Sequence, residues 1–548
     1  MATDASRQAP APDFEPTYDR IHLTHREILA VFSALMLCMF LAALDQTVLA
    51  TAMPTIVGEL GGLDKLSWLI TAYLLASTAS IPLYGKIGDM YGRRPVLQFA
   101  IVSFVLGSLA AGVSQDINQI IASRAVQGLG AGGLMATSQA VIGDILAPRE
   151  RGRYIGYMGS AFAIASVAGP LLGGFFTDGP GWRWVFYINL PLGIIAFVVA
   201  TRVLAKLKPI RQRHGIDFGG AALLLAGISA VLLATSWGGK EYGWGSPTIV
   251  GLYAAGAAFL AVFVFWEMRA KEPLIPLLLF RNPTFRVSSL LGMLVAMSLF
   301  GVIVFVPVFL QVAKGVSATE SGLRTVPIMV GIVVTGFLAG RMINRTGRYH
   351  FYPIIGTSAI SIGLLVISLI TGSPNLALIS ICLFVIGLGV GLVMQVTLLA
   401  VQNAVEFQHM GTATGGVTFF RSMGGALGVA IFGSIFNNRV DHQLPRLIPP
   451  ESLQGIDSST LLSSPQELLL LPPEVLEGVR EAFSQSLETV FLLAVPLALL
   501  AFAISWWLPN VPLRERSVPT SLPQGRASGD SHEAPVITAE VQPPPAFP

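Results

Sequence analysis

The feature that most constrains the fold is the division of the sequence into apolar blocks of about 18 to 25 residues, separated by short polar connections. A helix of this length, rising about 1.5 Å per residue, crosses a hydrocarbon layer about 30 Å thick. Only 12% of the 548 residues are charged and 53% are hydrophobic, whereas a soluble domain carries about 25% charged residues. Because so few charges cannot cover a soluble surface, we expect an all-α integral membrane protein in contact with the lipid bilayer.

Fourteen apolar blocks predict fourteen transmembrane helices. They lie near residues 28–52, 67–86, 95–114, 118–143, 153–176, 184–205, 218–237, 247–267, 286–312, 321–342, 352–371, 377–401, 412–436 and 487–508. The first 27 residues hold no short apolar core followed by a small-residue cleavage site, so we expect the first block to remain as a helix.

The basic residues are distributed unequally between the two sets of connections. Eighteen Lys and Arg lie in the connections after the second, fourth, sixth, eighth and tenth spans, whereas the short connections after odd-numbered spans hold five. The connection after the twelfth span is an exception, since it carries Glu406 and no Lys or Arg. Because basic residues are retained on the cytoplasmic side, we predict a multi-pass protein with both termini in the cytoplasm.

Other functional classes lack support in the sequence. No basic stripe with interleaved aromatic residues indicates nucleic acid as a partner. Cys38 and Cys382 lie inside apolar blocks and are interpreted as small buried hydrophobes, not as a disulfide or metal pair. No nucleotide-binding loop or hydrolase motif is found, so we expect no enzyme and no cofactor, and an ion gradient as the energy source.

Two segments are repeated along the chain. The segments 85–93 and 340–348 share their spacing, and Gly128 to Gly132 is echoed at nearly the same offset by Gly387 to Gly391. The matched residues of the first pair are Gly85, Asp89, Gly92 and Arg93, followed by Gly340, Asn344, Gly347 and Arg348. Two nearly equal offsets indicate two related six-helix halves, a design in which rocking exposes a central site alternately to each side.

The repeat predicts the domain organisation. A cytoplasmic segment, 1–27, precedes a first half at 28–208, a two-helix insert at 209–270, a second half at 271–508 and a disordered tail at 509–548. The second half contains an outer loop, 437–486, with a possible surface helix from Pro465 to Phe483. This loop is interpreted as a solvated cap, with a substrate gate as the alternative.

Five motifs resemble those of the fourteen-span drug:proton antiporter branch of the major facilitator superfamily. They are GKIGDMYGRR at 85–94, RAVQGLG at 124–130, LDQTV at 44–48, ASVAGPLLGG at 165–174 and WRWVFYINLPLG at 182–193. The resemblance implies the major facilitator fold, namely two six-helix halves plus two inserted helices. In the motif at 165–174, Ala165 replaces the family's first glycine and keeps the position small. Within the resemblance, Gly169, Pro170, Gly173 and Gly174 form the antiporter motif, which favours export over uptake.

Charged residues inside the apolar blocks are the strongest site candidates, because burying a charge in hydrocarbon is costly. Asp45 and Arg124 are predicted at similar depths, and we expect Asp45 to carry the proton and Arg124 to be its partner. A static ion pair that fixes helix packing is the alternative. In the loop after the second span, Asp89 lies near Arg93 and Arg94, and this charge network is predicted to close the cytoplasmic side.

The second half offers fewer candidates. Arg421 lies deep in the thirteenth span and is interpreted either as a gating or substrate-side group, or as a charge satisfied by backbone carbonyls. Further polar candidates for the cavity wall are Gln46, Gln127, Gln311 and Gln395.

These predictions together describe a proton-coupled efflux transporter, acting as a monomer in a bacterial-type plasma membrane. The family resemblance implies hydrophobic or amphipathic drugs and metabolites as substrates, and the single buried carboxylate favours neutral or monocationic ones. One alternative is an exporter of a dedicated lipid, siderophore or secondary metabolite. Another is a non-transporting membrane receptor on a transporter fold.

Overall fold

The structure, a computed structural model, is a bundle of long helices. It describes residues 25–60, 66–146, 148–206, 217–239, 242–270, 273–316, 318–370, 375–406, 409–448 and 472–513. Residues 1–24 of the predicted N-terminal segment, most of the tail and residues 449–471 of the predicted outer loop lie outside these described residues.

Seven helices form what is called the first half below. They are α1 (His25–Leu60), α2 (Leu66–Tyr91), α3 (Arg93–Val113), α4 (Ile117–Ile145), α5 (Pro148–Asp178), α6 (Trp184–Tyr187) and α7 (Asn189–Val203). The predicted sixth span comprises α6 and α7, and Ile188 between them keeps helical backbone angles, so the two form one continuous segment.

The insert and the second half follow. The insert consists of α8 (Phe218–Trp237) and α9 (Pro247–Glu267). The second half consists of α10 (Pro283–Val308), α11 (Ala318–Thr346), α12 (Phe351–Leu369), α13 (Leu376–Ala404), α14 (Met410–Leu447) and α15 (Pro473–Ser505). Both α14 and α15 extend beyond the predicted spans 412–436 and 487–508.

The helix ends follow from local sequence signals. Asp116 caps α4, because its carboxylate accepts hydrogen bonds from the backbone N–H groups of Asn118 and Gln119. Ser246 and Asn282 cap α9 and α10 in the same way, each followed by a proline at the first helical position. These caps satisfy donors that no carbonyl of the same helix can reach.

Eleven helices in the described part are long and apolar enough to cross a membrane, by length and composition. The helices α2, α4 and α5 are also long, at 26, 29 and 31 residues, and pack among them. The prediction of a multi-pass, all-α membrane protein is confirmed. The count of fourteen spans stays a prediction.

The helix packing is repeated in the two halves. In the first half, α4 packs on α2 and α3, and α1 packs on α5 and α7. In the second half, α13 packs on α11 and α12, and α10 packs on α14 and α15. The halves meet through two equivalent pairs, α2 with α14 and α5 with α11. This is the packing that two related halves produce.

The insert packs on both halves. The helix α8 contacts α2 of the first half and α14 of the second. The rings of Trp68 and Trp237 lie edge to face at 5.6 Å, and the Ser434 hydroxyl donates to the carbonyl of Gly238 at 3.1 Å. The insert therefore lies beside the seam between α2 and α14.

Candidate functional site

Asp45 is enclosed by hydrogen-bond donors in the interior of the first half. Asp45 lies in α1 and is 1% exposed. One carboxylate oxygen accepts from Arg124 Nη1 at 2.5 Å, and the other accepts from Gln127 Nε2 at 2.6 Å and from Asn189 Nδ2 at 2.8 Å. The helices α4 and α7 thus supply three charge-assisted hydrogen bonds to one buried carboxylate.

Arg124 is held by the same group of helices. Its Nε donates to the carbonyl of Leu69 at 3.3 Å, and Nη1 also donates to Gln127 Oε1 at 2.6 Å. The guanidinium lies over the ring of Tyr73, 4.1 Å from the ring centroid, where the negative face of the ring attracts a cation. The structure therefore brings together the two residues predicted to pair, and the pair has no net charge while Asp45 is ionised.

Two residues of this site were not predicted from the sequence. Ser108 of α3 accepts from Gln127 Nε2 at 2.6 Å and from Asn189 Nδ2 at 3.1 Å. Asn189 is the first residue of α7, and it is fully buried inside the bundle. Its Oδ1 is buried without a hydrogen-bond partner among the described residues. In the sequence, the signal for Asn189 was an amide side chain within an apolar block.

The α1 residues next to Asp45 contact other helices. The side chain of Gln46 is half-buried and hydrogen-bonds with Tyr73. The Thr47 hydroxyl donates to the carbonyl of Ala165 in α5 at 2.9 Å. A sequence motif in the first span therefore anchors both the carboxylate and the contact between α1 and α5.

The predicted antiporter motif lies in α5, on the side that packs against α1. A Cβ atom at Gly169 would overlap Thr47, and one at Gly173 would overlap Thr51. A Cβ at Gly174 would have no heavy atom within 4 Å. Pro170 lies in α5 between these glycines. Two glycines of the motif thus allow a close approach of α1 and α5, and the third faces open space.

Asp89, Arg93 and Asp144 form a second charged cluster where α2, α3 and α4 meet. Arg93 Nη2 donates to Asp89 at 2.5 Å, Arg93 Nε donates to Asp144 at 2.7 Å, and Arg93 Nη1 donates to the Gly85 carbonyl at 3.3 Å. Gly92, with φ of 91°, makes the turn into α3. This end of the bundle, called the Asp89 end below, is the predicted cytoplasmic side.

The same carboxylate reaches the second half. Asp89 accepts from the backbone N–H of Gly411 at 3.0 Å, and from the backbone N–H and hydroxyl of Thr412, both at 2.7 Å. These N–H groups belong to the first turn of α14, the positive end of its helix dipole. Asp89 therefore joins the two halves by capping a helix of the other half.

Small residues and amides extend this contact between the halves. A Cβ at Gly85 would lie 2.7 Å from the carbonyl oxygen of Gly411, so α2 and α14 approach closely. Gln139 of α4 accepts from the Thr418 hydroxyl at 2.8 Å, and its carbonyl accepts from Gln402 Nε2 at 3.3 Å. The halves are therefore in direct polar contact at the Asp89 end.

Other predicted gate residues take no part in these described contacts. Arg94 is half-buried, and its Nε has no partner among the described residues. In the second copy of the motif, Gly340 is buried, Asn344 is half-buried and Arg348 is exposed. Gly347 has a φ of 69°, so both copies of the motif have a glycine with positive φ at the equivalent position. The repeat thus preserves a backbone conformation that favours glycine.

The remaining polar candidates lie on separate helices. Gln311 is half-buried in a π-helical segment, Phe309–Ala313, that continues α10. Gln395 of α13 and Arg421 of α14 are also half-buried. Among the described residues, Arg421 has no hydrogen bond or ion pair. Chemically, the first half thus offers a buried carboxylate that can bind one proton, and the second half offers a cation.

Comparisons with known proteins agree with this architecture. The sequence profile of the Major Facilitator Superfamily matches residues 35–429. An uncharacterized MFS-type transporter of Mycobacterium tuberculosis (strain CDC 1551 / Oshkosh) is 40% identical over 486 residues, covering 88% of this chain and 70% of that protein. The multidrug transporter protein MdtP of Bacillus subtilis (strain 168) is 36% identical, covering 84% and 87%.

A solved structure shows the same fold. The crystal structure of the human organic anion transporter MFSD10 has a TM-score of 0.58 and 16% sequence identity, covering 86% of this chain and 99% of that chain. At this identity the likeness concerns the fold alone. With the profile match and the two bacterial relatives, it supports one conclusion. The chain belongs to the major facilitator superfamily, and it is a multi-pass membrane transporter, not an enzyme.

Proposed function

We propose that this protein is a proton-coupled efflux transporter that exports small amphipathic molecules by alternating access. The observation that carries the proposal is the Asp45 carboxylate, which is buried beside Arg124 and held by three side-chain donors. An ionisable group inside a membrane bundle is costly to bury, so its presence marks a functional position. Asp45 is the proton carrier, and Arg124 is its charged partner.

The two halves provide the conformational part of the cycle. They meet through the equivalent pairs α2 with α14 and α5 with α11. In the present arrangement Asp89 closes its end of the bundle by capping α14. Opening that end requires these hydrogen bonds to break, so Asp89, Arg93 and the glycines at 85 and 411 form the gate. By the distribution of basic residues, this gate lies at the cytoplasmic face of a plasma membrane.

A relative named as a multidrug transporter supports efflux over uptake. The protein acts as a monomer, because each chain contains both halves of the transport pathway. A dedicated exporter of one lipid, siderophore or secondary metabolite is the second candidate, and a receptor that binds without transport is the third. All three use the same fold, so only flux measurements separate them.

The test is flux through the purified full-length protein in liposomes. An outward substrate gradient is expected to drive protons into the lumen, and a proton gradient is expected to drive substrate uphill. The Asp45→Asn variant should bind substrate but lose uphill transport. The matched control is Asp441→Asn, because Asp441 is an exposed carboxylate on α14. Full uphill transport by Asp45→Asn would remove Asp45 from the mechanism, and binding without flux in the unaltered protein would favour a receptor.

A further inference from the structure

Arg421 is a charged side chain whose counter-charge the described part of the chain does not supply. It lies about three turns into α14, half-buried, with no hydrogen bond or ion pair among the described residues. By contrast, Arg124 has Asp45 as its partner, and Arg93 has Asp89 and Asp144. An unpaired cation within a transporter bundle is costly to bury and marks a functional position.

The helix face that carries Arg421 is turned towards the first half. Residues 414, 418 and 421 follow the helical spacing of four and three, so they lie on one face of α14. Thr418 donates to Gln139 of α4, and Thr414 accepts from Gln402 of α13. Arg421 comes one turn further along α14 from the Asp89 end, so it lies beside the interface between the two halves.

A second unpartnered donor lies on the neighbouring helix. The Cβ of Arg421 is 3.9 Å from the Cβ position at Gly292 in α10. Ser288 is one helical turn earlier on that α10 face, and its hydroxyl is buried without a hydrogen-bond partner among the described residues. Contacts of Gly424 with Met293 and of Gly428 with Met297 show that α10 and α14 run in the same direction. Because long helical side chains lean towards the helix N-terminus, the Arg421 side chain leans towards the level of Ser288.

An aromatic ring lies on the other side of Arg421. Gly425 is one turn further along α14, and a Cβ there would lie 2.9 Å from the ring of Phe300 in α10. Phe300 is half-buried, so part of its ring is accessible. The site thus combines a cation, a hydroxyl donor and an apolar surface. A carboxylate or sulfonate attached to an aromatic body complements all three.

We propose that Arg421 binds the anionic group of the transported substrate, so that the protein exports anionic aromatic amphiphiles. This deepens the proposed efflux function and rests on it. It also reverses the sequence-based preference for neutral or monocationic substrates. That preference considered the charge of Asp45 alone, whereas the structure pairs Asp45 with Arg124 and supplies no counter-charge to Arg421 from the described residues.

The anion site and the proton site lie at different depths. Gln139 and Thr418 are in contact, so they mark the same depth in the bundle. From that level, the proton site at Gln127 lies twelve residues along α4, and Arg421 lies three residues along α14 in the same direction. At about 1.5 Å per residue, the two sites are about 13 Å apart along the bundle. The anion and the proton therefore bind different atoms. In an exchange cycle, the conformational change therefore carries the proton inward in one step and the anion outward in the other. One proton entering and one monoanion leaving would move two positive charges inward, so a negative interior potential would drive the exchange.

The test compares two aromatic dyes of opposite charge, carboxyfluorescein and ethidium, on purified full-length protein in lipid nanodiscs. The Arg421→Gln variant should lose at least about tenfold of its affinity for carboxyfluorescein, because a charge-assisted contact is removed. Its affinity for ethidium should be unchanged or higher. Arg421→Lys keeps the charge and should recover most of the carboxyfluorescein affinity. Arg439→Gln is the matched control, because Arg439 is an exposed arginine on the same helix.

Three results would overturn the anion site. They are equal losses for both dyes in Arg421→Gln, an unchanged affinity for carboxyfluorescein in that variant, and no binding of carboxyfluorescein by the unaltered protein. Proton-driven flux is measured separately in liposomes. If the expected binding pattern is found without proton-driven flux, the anion site stands and the proposed coupling fails. If ethidium flux depends on Asp45 and carboxyfluorescein does not bind, the coupling stands and the anion site fails.

Discussion

The carboxylate of Asp89 accepts a hydrogen bond of 2.7 Å from the backbone N–H of Thr412, so the last turn of α2 caps the first turn of α14. A carboxylate at a helix N-terminus typically stabilises the helix by about 1 kcal/mol, and by up to about 2 kcal/mol when the site is partly buried. Here the capped helix belongs to the other half of the molecule. The stabilisation therefore applies only to the conformation that is closed at the Asp89 end.

The first prediction concerns this cap. Asp89→Ala should weaken closure by about 1–3 kcal/mol, because two backbone donors of α14 lose their acceptor. The open conformation should become more populated, and transport should decrease. A cysteine introduced at Thr414, buried directly behind the cap, should then react faster with a hydrophilic maleimide. The native thiols Cys38 and Cys382 are buried, so they contribute little background.

The control for Asp89→Ala is Asp116→Ala. Asp116 also accepts from two backbone N–H groups at a helix N-terminus, but it caps α4 within its own half. Its loss should lower the melting temperature without changing the labelling rate at position 414. Equal labelling in the two variants would show that Asp89 acts as an ordinary helix cap and not as a contact that closes the bundle.

The sequence predicts the fold well because the bilayer limits the choice of structure. Apolar blocks of spanning length can satisfy their backbone groups in lipid only as helices, and the repeated motif at 85–93 and 340–348 indicates related halves. The lengths of α14 and α15 are less accessible to this reasoning. Both helices extend beyond the apolar blocks that predict their spans, and a helix outside the bilayer needs no apolar block.

The candidate site was predicted in part. Asp45 and Arg124 are recognisable because a charge in an apolar block has few explanations. Ser108 and Asn189 were missed, because uncharged polar residues are common in membrane helices and their partners depend on helix packing. The contact of Asp89 with Thr412 was also missed, since its donors are backbone N–H groups more than 300 residues away in the chain. Side-chain patterns do not reveal such donors.

The second prediction tests the amide beside Asp45. Asn189→Leu removes the donor that lies 2.8 Å from the carboxylate, so Asp45 keeps only Arg124 and Gln127 as partners. Because the carboxylate loses one of its three charge-assisted hydrogen bonds, proton-driven transport should slow at a fixed proton gradient. The free energy of unfolding should decrease by about 1–3 kcal/mol. Transport is measured in liposomes at one fixed proton gradient.

Ser108→Ala is the control for the Asn189 variant. Ser108 hydrogen-bonds with Gln127 and Asn189, so its loss disturbs the same cluster without removing a donor to the carboxylate. We expect reduced stability and an unchanged rate of proton-driven transport. If both variants slow transport equally, general loosening of the cluster explains the effect, and the direct contact of Asn189 does not.

The third prediction concerns acid stability at the opposite end of the bundle. Hydrogen bonds from Arg183 and Trp182 lower the pKa of the Glu59 carboxyl below its usual value of 4.5. A lowered pKa in the folded state stabilises the protein above the unfolded pKa, and this contribution is lost as the pH falls through the folded value. The effect should be small because Glu59 is exposed. Melting temperatures between about pH 3 and 6 should therefore fall less steeply for Glu59→Gln than for the unaltered protein.

The control for Glu59→Gln is Glu320→Gln. Glu320 pairs with Arg324 four residues later in α11, so that variant removes an exposed ion pair within a single helix. Its melting temperature should follow the unaltered protein across the acid range more closely than that of Glu59→Gln. The Glu59 contact instead joins the end of α1 to the segment before α6. Parallel curves for Glu59→Gln and the unaltered protein would contradict the assigned role.

The last prediction uses two adjacent glycines of α5. A Cβ at Gly173 would overlap the Thr51 hydroxyl and lie 2.8 Å from the carbonyl oxygen of Val48, whereas a Cβ at Gly174 would meet no heavy atom within 4 Å. Gly173→Ala should therefore separate α1 from α5, destabilise the protein by about 1–3 kcal/mol and disturb the Asp45 region. Gly174→Ala should leave stability unchanged or slightly improved, since alanine favours the helix by about 1 kcal/mol over glycine. Thermal unfolding of the two variants in the same detergent measures the difference, and equal melting temperatures would show that α1 and α5 are less closely packed than the structure indicates.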